Sequence, residues 1–231
     1  MNIKQLDPET INKIAAGEVI ERPFSVVKEL MENSIDAGAS KITIEVKNGG
    51  KSFIRVVDNG SGMSKEDALI SYHKHTTSKL VDLFDIHTLG FRGEALSSIA
   101  AISNLVLKTN NGEDGIEIEI EAGQLKQEKE TGMNQGTTIE VTDLFFNTPV
   151  RKNYMKSREA EFSKIQDIVI RYALSNKDIS FKLIHDEKEI LNIPKSENML
   201  NKIVDIYGID MAKNLMQLES EGNIKIKGYA A

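Results

Sequence analysis

The segment from Pro23 to Gly38, P-F-S-V-V-K-E-L-M-E-N-S-I-D-A-G, reads as one regular structure, a helix. Pro23 suits a first helical turn and Gly38 the position just past the end. At about 100° per residue, Glu29, Asn33 and Asp36 share a narrow stripe, while Val26, Val27, Leu30, Met31 and Ser34 occupy the neighbouring face. One side is expected to bury and the other to face a cleft. Polar stripes on helices are most often solvated surface, so this one gains chemical meaning only from the segments that accompany it.

Those segments alternate between strand and helix signals. Asp7-Pro8 opens a short helix reaching Gly17. Ile42, Ile44 and Val46 alternate with polar residues, Asn48-Gly49-Gly50 supplies a turn, and Phe53 to Val57 forms a second strand, which places Asp58 at a strand end. Ser64 caps a helix to about His73. A polar, glycine-punctuated connection from 74 to 93 follows, of the kind that often serves as a lid. Further on come a helix from Glu94 to Ile102 and strands at 105–109, 116–121 and 137–141. An amphipathic helix marked by Phe162, Ile165, Val169 and Tyr172 precedes a hairpin over 179–193. The order is α+β without steady βαβ alternation. Pro194 and the polar residues after it look like a boundary, so residues 1–195 are expected to form one domain. Residues 196–231 then supply a helix over 199–212 and a strand containing Ile224 and Ile226, the beginning of a truncated second domain.

Composition narrows the function. A net charge of −6 over 231 residues argues against a general nucleic-acid-binding surface, and Arg151, Lys152, Lys156 and Arg158 are expected to form a solvated loop. The absence of cysteine removes disulfides and thiolate metal sites and, with no signal-peptide core and no apolar run of membrane length, points to the cytoplasm and away from a membrane. No P-loop, dinucleotide fingerprint or Gly-x-Ser-x-Gly elbow is present, and His73 and His75 lack a matching carboxylate pattern for a metal.

What remains is Glu29 with Asn33, Asp58 before Asn59-Gly60-Ser61-Gly62, Gly90-Phe91-Arg92-Gly93-Glu94, and Gly136-Thr137-Thr138. Each is compatible with ATP. A strand-end Asp can accept from an adenine amino group, and glycines admit a flat base to the backbone. Free amides at the helix start Gly93-Glu94-Ala95-Leu96 favour phosphate. The Asn33 amide oxygen suits Mg2+, and Glu29 can deprotonate an attacking water. Singly, each could be an ordinary turn or boundary; their joint occurrence in this order is the signal.

N-K-I-A-A-G-E-V-I-E-R-P at 12–23, K-E-L-M-E-N-S-I-D-A-G-A at 28–39, D-N-G-S-G-M at 58–63 and G-F-R-G-E-A-L at 90–96 resemble the MutL mismatch-repair family. The Asp-Asn-Gly element is shared with its wider GHKL relatives, the gyrase, heat-shock chaperone and histidine kinase ATP-binding domains. The resemblance implies a GHKL (Bergerat) α/β sandwich, with helices covering one face of a mostly antiparallel mixed sheet, followed by the start of a transducer domain like ribosomal protein S5. It implies that Glu29 is the general base, Asn33 the magnesium ligand and Asp58 the adenine anchor, with Ala37 binding nucleotide and Gly62 and Met63 lining the base pocket. Thr77, Ser78 and Lys79, with Leu89, Gly90, Phe91, Arg92, Gly93, Glu94, Ala95 and Leu96, would form the lid and its phosphate contacts, and Thr138 would close the adenine side. ATP and Mg2+ are the implied cofactors. ATP-driven homodimerisation, a MutS-type mismatch-recognition partner and DNA contact through the full-length protein are the implied associations. A second-domain lysine against the γ-phosphate lies beyond residue 231, so slow turnover is expected. The alternatives are a type II topoisomerase ATPase subunit, a nucleotide-independent scaffold and a nucleic-acid-binding module.

Overall fold

The computed structural model describes residues 3–77, 89–90, 93–222 and 224–230. Helix α1 (Pro8–Val19) starts where the Asp7 carboxylate accepts from the Thr10 amide, and α2 (Pro23–Asp36) starts on proline without a side-chain cap. Strands β1 (Lys41–Lys47) and β2 (Phe53–Asp58) flank a single 3-10 turn, Asn48–Gly50. Next come α3 (Lys65–Ile70), capped by Ser64, and α4 (Ala95–Ala101). Four strands follow: β3 (Asn104–Asn110), β4 (Gly115–Glu121), β5 (Gln124–Glu130) and β6 (Gly136–Thr142). After α5 (Pro149–Tyr154) and α6 (Arg158–Ser175), β7 (Ser180–His185) and β8 (Lys188–Ile193) form a hairpin. The chain then runs through α7 (Met199–Tyr207), α8 (Ile209–Lys213), β9 (Met216–Ser220) and β10 (Ile226–Ala230).

Among the described residues, eight strands make one sheet in the order β5-β4-β3-β6-β2-β1-β7-β8, with β1 and β7 its single parallel pair. This is the mixed, mostly antiparallel α+β architecture that the sequence implied. Alternation decides the two faces. Ile42, Ile44, Val46, Ile54, Val56, Leu105, Leu107, Ile118 and Val141 point to the helix-covered side and are buried. There they meet Val26, Val27, Leu30 and Met31 of α2, Ile99 of α4, and Ile165 and Val169 of α6. Burying a side chain of this size stabilises by about 1.5–3 kcal/mol, so this layer is what holds the sheet and helices together. The opposite face is charged: Arg55 pairs with Glu45 and Glu140, and Glu117 pairs with Lys108 and Lys129.

Several elements depart from the sequence reading. Strand β5, Q-L-K-Q-E-K-E, is exposed along its whole length and carries no apolar alternation; it exists because β4 offers it an edge to pair with. The basic residues Arg151 and Lys152 lie on the short helix α5 and not in a loop. The helix expected over 199–212 is two helices, broken at Gly208, whose φ of 85° no α-helix accommodates. Lys202 of α7 is buried and donates to the Ile179 carbonyl at 2.6 Å, anchoring α7 to the junction of α6 and β7. Strand β9 also escaped the sequence reading; it pairs with β10 in a separate two-stranded sheet.

Candidate active site

The polar stripe of α2 lies where its spacing placed it: Glu29, Asn33 and Asp36 are half-buried, while Val26, Val27, Leu30, Met31 and Ser34 are buried. The Glu29 carboxylate accepts from Lys28 Nζ at 2.9 Å, and the same ammonium reaches Glu32 at 2.9 Å. Burial works against the charge on Lys28, but Glu32 and Glu29 more than reverse this and raise its pKa. Glu32 is itself buried and accepts a short hydrogen bond from the Tyr172 hydroxyl of α6.

Below the end of this helix sits Asp58, at the last position of β2 and on the helix-covered face. Its Oδ2 accepts from Ser34 Oγ at 2.8 Å; its Oδ1 accepts from the amides of Gly60 at 2.9 Å and Thr137 at 3.3 Å. Burial pushes the Asp58 carboxyl up, and these three neutral donors offset the shift only in part. A carboxylate offers about four acceptor positions, so three donors leave capacity for one more.

Around Asp58 the backbone closes in. The Ala37 carbonyl accepts from the Ser61 amide at 2.9 Å, and the Met63 amide donates to Thr109 Oγ1 at 2.9 Å. Gly62 has φ 67°, and a Cβ there would lie 2.0 Å from the Asn110 carbonyl oxygen. Gly136 has φ 133°, and its Cβ would lie 2.2 Å from the Asp58 carbonyl oxygen. Only glycine meets both demands, which gives the two glycines a physical role that composition alone could not.

Thr138 does not close this side. In the β2–β6 register Asp58 faces Thr137 and Val57 faces Thr138, so alternation turns the Thr138 side chain to the charged face. Thr137 is the residue beside Asp58, and its hydroxyl lies 3.1 Å from that of Thr109. Gly-Thr-Thr at a strand start does not reveal which threonine faces inward; the cross-strand register does.

The segments after α3 approach the same end of α2. The Asp36 carboxylate accepts from the amides of Leu89 at 3.0 Å and Gly90 at 3.1 Å, an anchoring role that the sequence did not reveal. The His75 amide donates to the Gly93 carbonyl at 3.1 Å, just before Glu94 begins the turn into α4 at Ala95, with Leu96 packed against the core. Thr77 ends the described stretch that leads here. Ser78, Lys79, Phe91 and Arg92 lie outside the described residues. The structure thus gathers Ala37, Asp58, Gly62, Met63 and the backbone of Leu89 and Gly90 at the C-terminal end of α2, the helix whose stripe carries Glu29 and Asn33. Ser34, Asp36, Thr109 and Thr137 join them; the sequence placed Asp36 on the polar stripe and Thr137 in the Gly-Thr-Thr element without a partner for either, placed Ser34 on the apolar face, and gave no signal for Thr109.

Comparison with known proteins gives the following likenesses. Residues 20–151 match the family described as histidine kinase-, DNA gyrase B-, and HSP90-like ATPase. The chain is 49% identical to the DNA mismatch repair protein MutL of Clostridium tetani, over 98% of this chain and 38% of the relative. It is 48% identical to the protein of the same name from Clostridium acetobutylicum, over 99% of this chain and 38% of the relative. It therefore spans 38% of the length of these curated relatives. Among solved structures, the Aquifex aeolicus MutL ATPase domain complexed with ADP aligns with a TM-score of 0.76 at 34% identity, covering 92% of this chain and 78% of that one. The N-terminal domain of a DNA repair protein aligns with a TM-score of 0.82 at 30% identity, covering 95% and 70%.

Proposed function

This chain belongs to the MutL family of DNA mismatch repair ATPases, and from that premise we propose that its α2–β2–β6 cleft binds ATP and hydrolyses its γ-phosphate with Glu29 as base. The observation that carries the reading is a division of labour between two acidic groups. Asp58 is half-buried among neutral donors with an acceptor position to spare, which suits an adenine amino group. Glu29 is held by the Lys28 ammonium and lies on the stripe that leads away from Asp58 along α2, which suits a water attacking the distal phosphate.

Asn33, half-buried on the same stripe as Glu29, carries an amide oxygen of the kind magnesium accepts. Among the described residues no cluster of three or more His, Asp or Glu side chains gathers as a metal site, and a hard ion that keeps most of its waters needs few protein ligands. Asn33 would hold it together with the nucleotide phosphates. The ion would supply charge neutralisation at the phosphates. Glu29 would orient the water and take its proton, and Ala37, Gly62, Met63, Thr109 and Thr137 would enclose the base.

The wider role we infer is a nucleotide-driven switch. Asp36 ties Leu89 and Gly90 to the helix that carries Glu29 and Asn33, so occupation of the cleft is coupled to the 74–93 connection. In the whole protein this would set ATP-dependent homodimerisation, engagement of a MutS-type recognition protein and contact with DNA, with residues 196–231 beginning a second domain. No described helix is long and apolar enough to cross a membrane.

Glu29→Ala tests the core of the proposal. Hydrolysis is expected to fall by roughly 10²–10⁴-fold while ATP affinity, measured by calorimetry, stays near that of the parent. Parallel loss of both would make Glu29 structural and would favour the scaffold reading.

A further inference from the structure

A general base needs its carboxylate in one place, and a glutamate on a helix has three side-chain torsions to restrain. On Glu29 the restraint is Lys28, whose Nζ lies 2.9 Å from Oε1. A lysine is a poor clamp by itself, because its four-carbon stem is as mobile as the group it should hold. Here the ammonium has a second carboxylate, Glu32 Oε2, at the same 2.9 Å, one helical turn along. Glu32 is 8% exposed, and its other oxygen, Oε1, accepts from the Tyr172 hydroxyl. Tyr172 belongs to α6, packs against the core cluster and turns on two torsions only. The four groups form one chain from a fixed aromatic ring to the stripe of α2, and its first member is 140 residues from its second.

We propose that Tyr172 is a positioning residue for ATP hydrolysis: its phenol fixes Glu32, Glu32 fixes Lys28, and Lys28 fixes the carboxylate of Glu29. The proposal rests on the reading of Glu29 as the base. Burial, with the Glu32 carboxylate beside it, pushes the Tyr172 phenol far above its ordinary range, so it stays a donor. Without that donor, Glu32 Oε1 is left buried and unsatisfied, and the nearest compensating cation is Lys28. Drawn toward Glu32, Lys28 releases Glu29. The rival explanation is that Tyr172 only offsets the burial of Glu32 and pins α6 to α2. The two differ in what they do to turnover and to binding.

The test is steady-state ATPase kinetics and calorimetric ATP affinity on the full-length protein, with thermal melting of each variant. Tyr172→Phe is expected to lower kcat about tenfold while KM and ATP affinity stay within about twofold. Lys28→Met should lower kcat at least as much, and Lys28→Arg, which can bridge two carboxylates, should restore part of it. Glu32→Gln should resemble Tyr172→Phe, and the double variant should be no slower than either single one, the sign of a shared path. An unchanged kcat in Tyr172→Phe overturns the proposal. So does a fall in kcat matched by lost affinity and lost melting temperature, which assigns the phenol to stability. Glu29→Ala separates this from the reading beneath it: if that variant still turns over, both fail, whereas a dead Glu29→Ala beside a fully active Tyr172→Phe removes this inference alone.

Discussion

Asp58 and Glu117 are both carboxylates on the eight-stranded sheet, on opposite faces, and they are held by opposite means. Asp58 faces the helices and is satisfied by one hydroxyl and two amides, with its pKa raised. Glu117 faces away from them, 3.2 Å from Lys108 and 2.9 Å from Lys129. Burial raises its pKa, but the two lysines overturn this and hold it below the usual carboxylate range. A carboxylate saturated by cations is a structural tie. One held by neutral dipoles in a cleft keeps its affinity for a further donor, and that separates a recognition group from one already saturated by ion pairs.

The largest expected effect breaks or keeps this contrast directly. Asp58→Ala should weaken ATP binding by roughly 10²–10³-fold, since it removes a charged acceptor and leaves buried donors without partners. Glu117→Ala should leave the calorimetric affinity unchanged; equal losses would show that the two faces do not differ in kind. Second in size is a backbone effect. Gly136→Ala, which drives a Cβ against the Asp58 carbonyl, should cost about 2–3 kcal/mol in denaturant unfolding. Gly132→Ala, where nothing lies within 4 Å, should be nearly neutral.

Smaller, and informative about coupling, is Asp36→Ala. Loss of its two backbone hydrogen bonds should cost about 1–2 kcal/mol of local order. A non-hydrolysable ATP analogue should protect residues 74–93 from proteolysis in the parent and less so in this variant. Identical cleavage with and without the analogue would contradict the coupling. Smallest is the pH dependence, where the two faces should show opposite signs. Asp58 has a folded pKa above the ordinary 3.8, so its contribution is complete below that value and is lost as pH rises through the raised one. Glu117 has a folded pKa below the ordinary 4.5, so its contribution is complete above that value and is lost as pH falls through the lowered one. Denaturant unfolding against pH should show Asp58→Asn removing a decline and Glu117→Gln removing a rise.

How much of this was legible differs from element to element. The α2 stripe was readable because a 3.6-residue period, a proline start and a glycine stop agree within one short window. Strands β1, β2, β3 and β6 were readable because their inward positions are apolar. Strand β5 was not, since an exposed edge strand needs no inward pattern and takes its conformation from the neighbour it pairs with. Thr137 and Thr138 show the limit most clearly. Both are good strand residues, and a shift of one position exchanges cleft for open face.

The sequence by itself determined which residues share a face of each element, because helical and strand periods are local properties of the backbone. It therefore determined that Glu29 and Asn33 project together and that Asp58 ends an inward-facing strand. Only the tertiary structure decided the partners of those groups: Thr137 for Asp58, Leu89 and Gly90 for Asp36, and Tyr172 for Glu32. Such contacts depend on the order of strands in the sheet and on how α6 lies across α2. These are set by burying the whole apolar layer at once, and no single window of the chain encodes them.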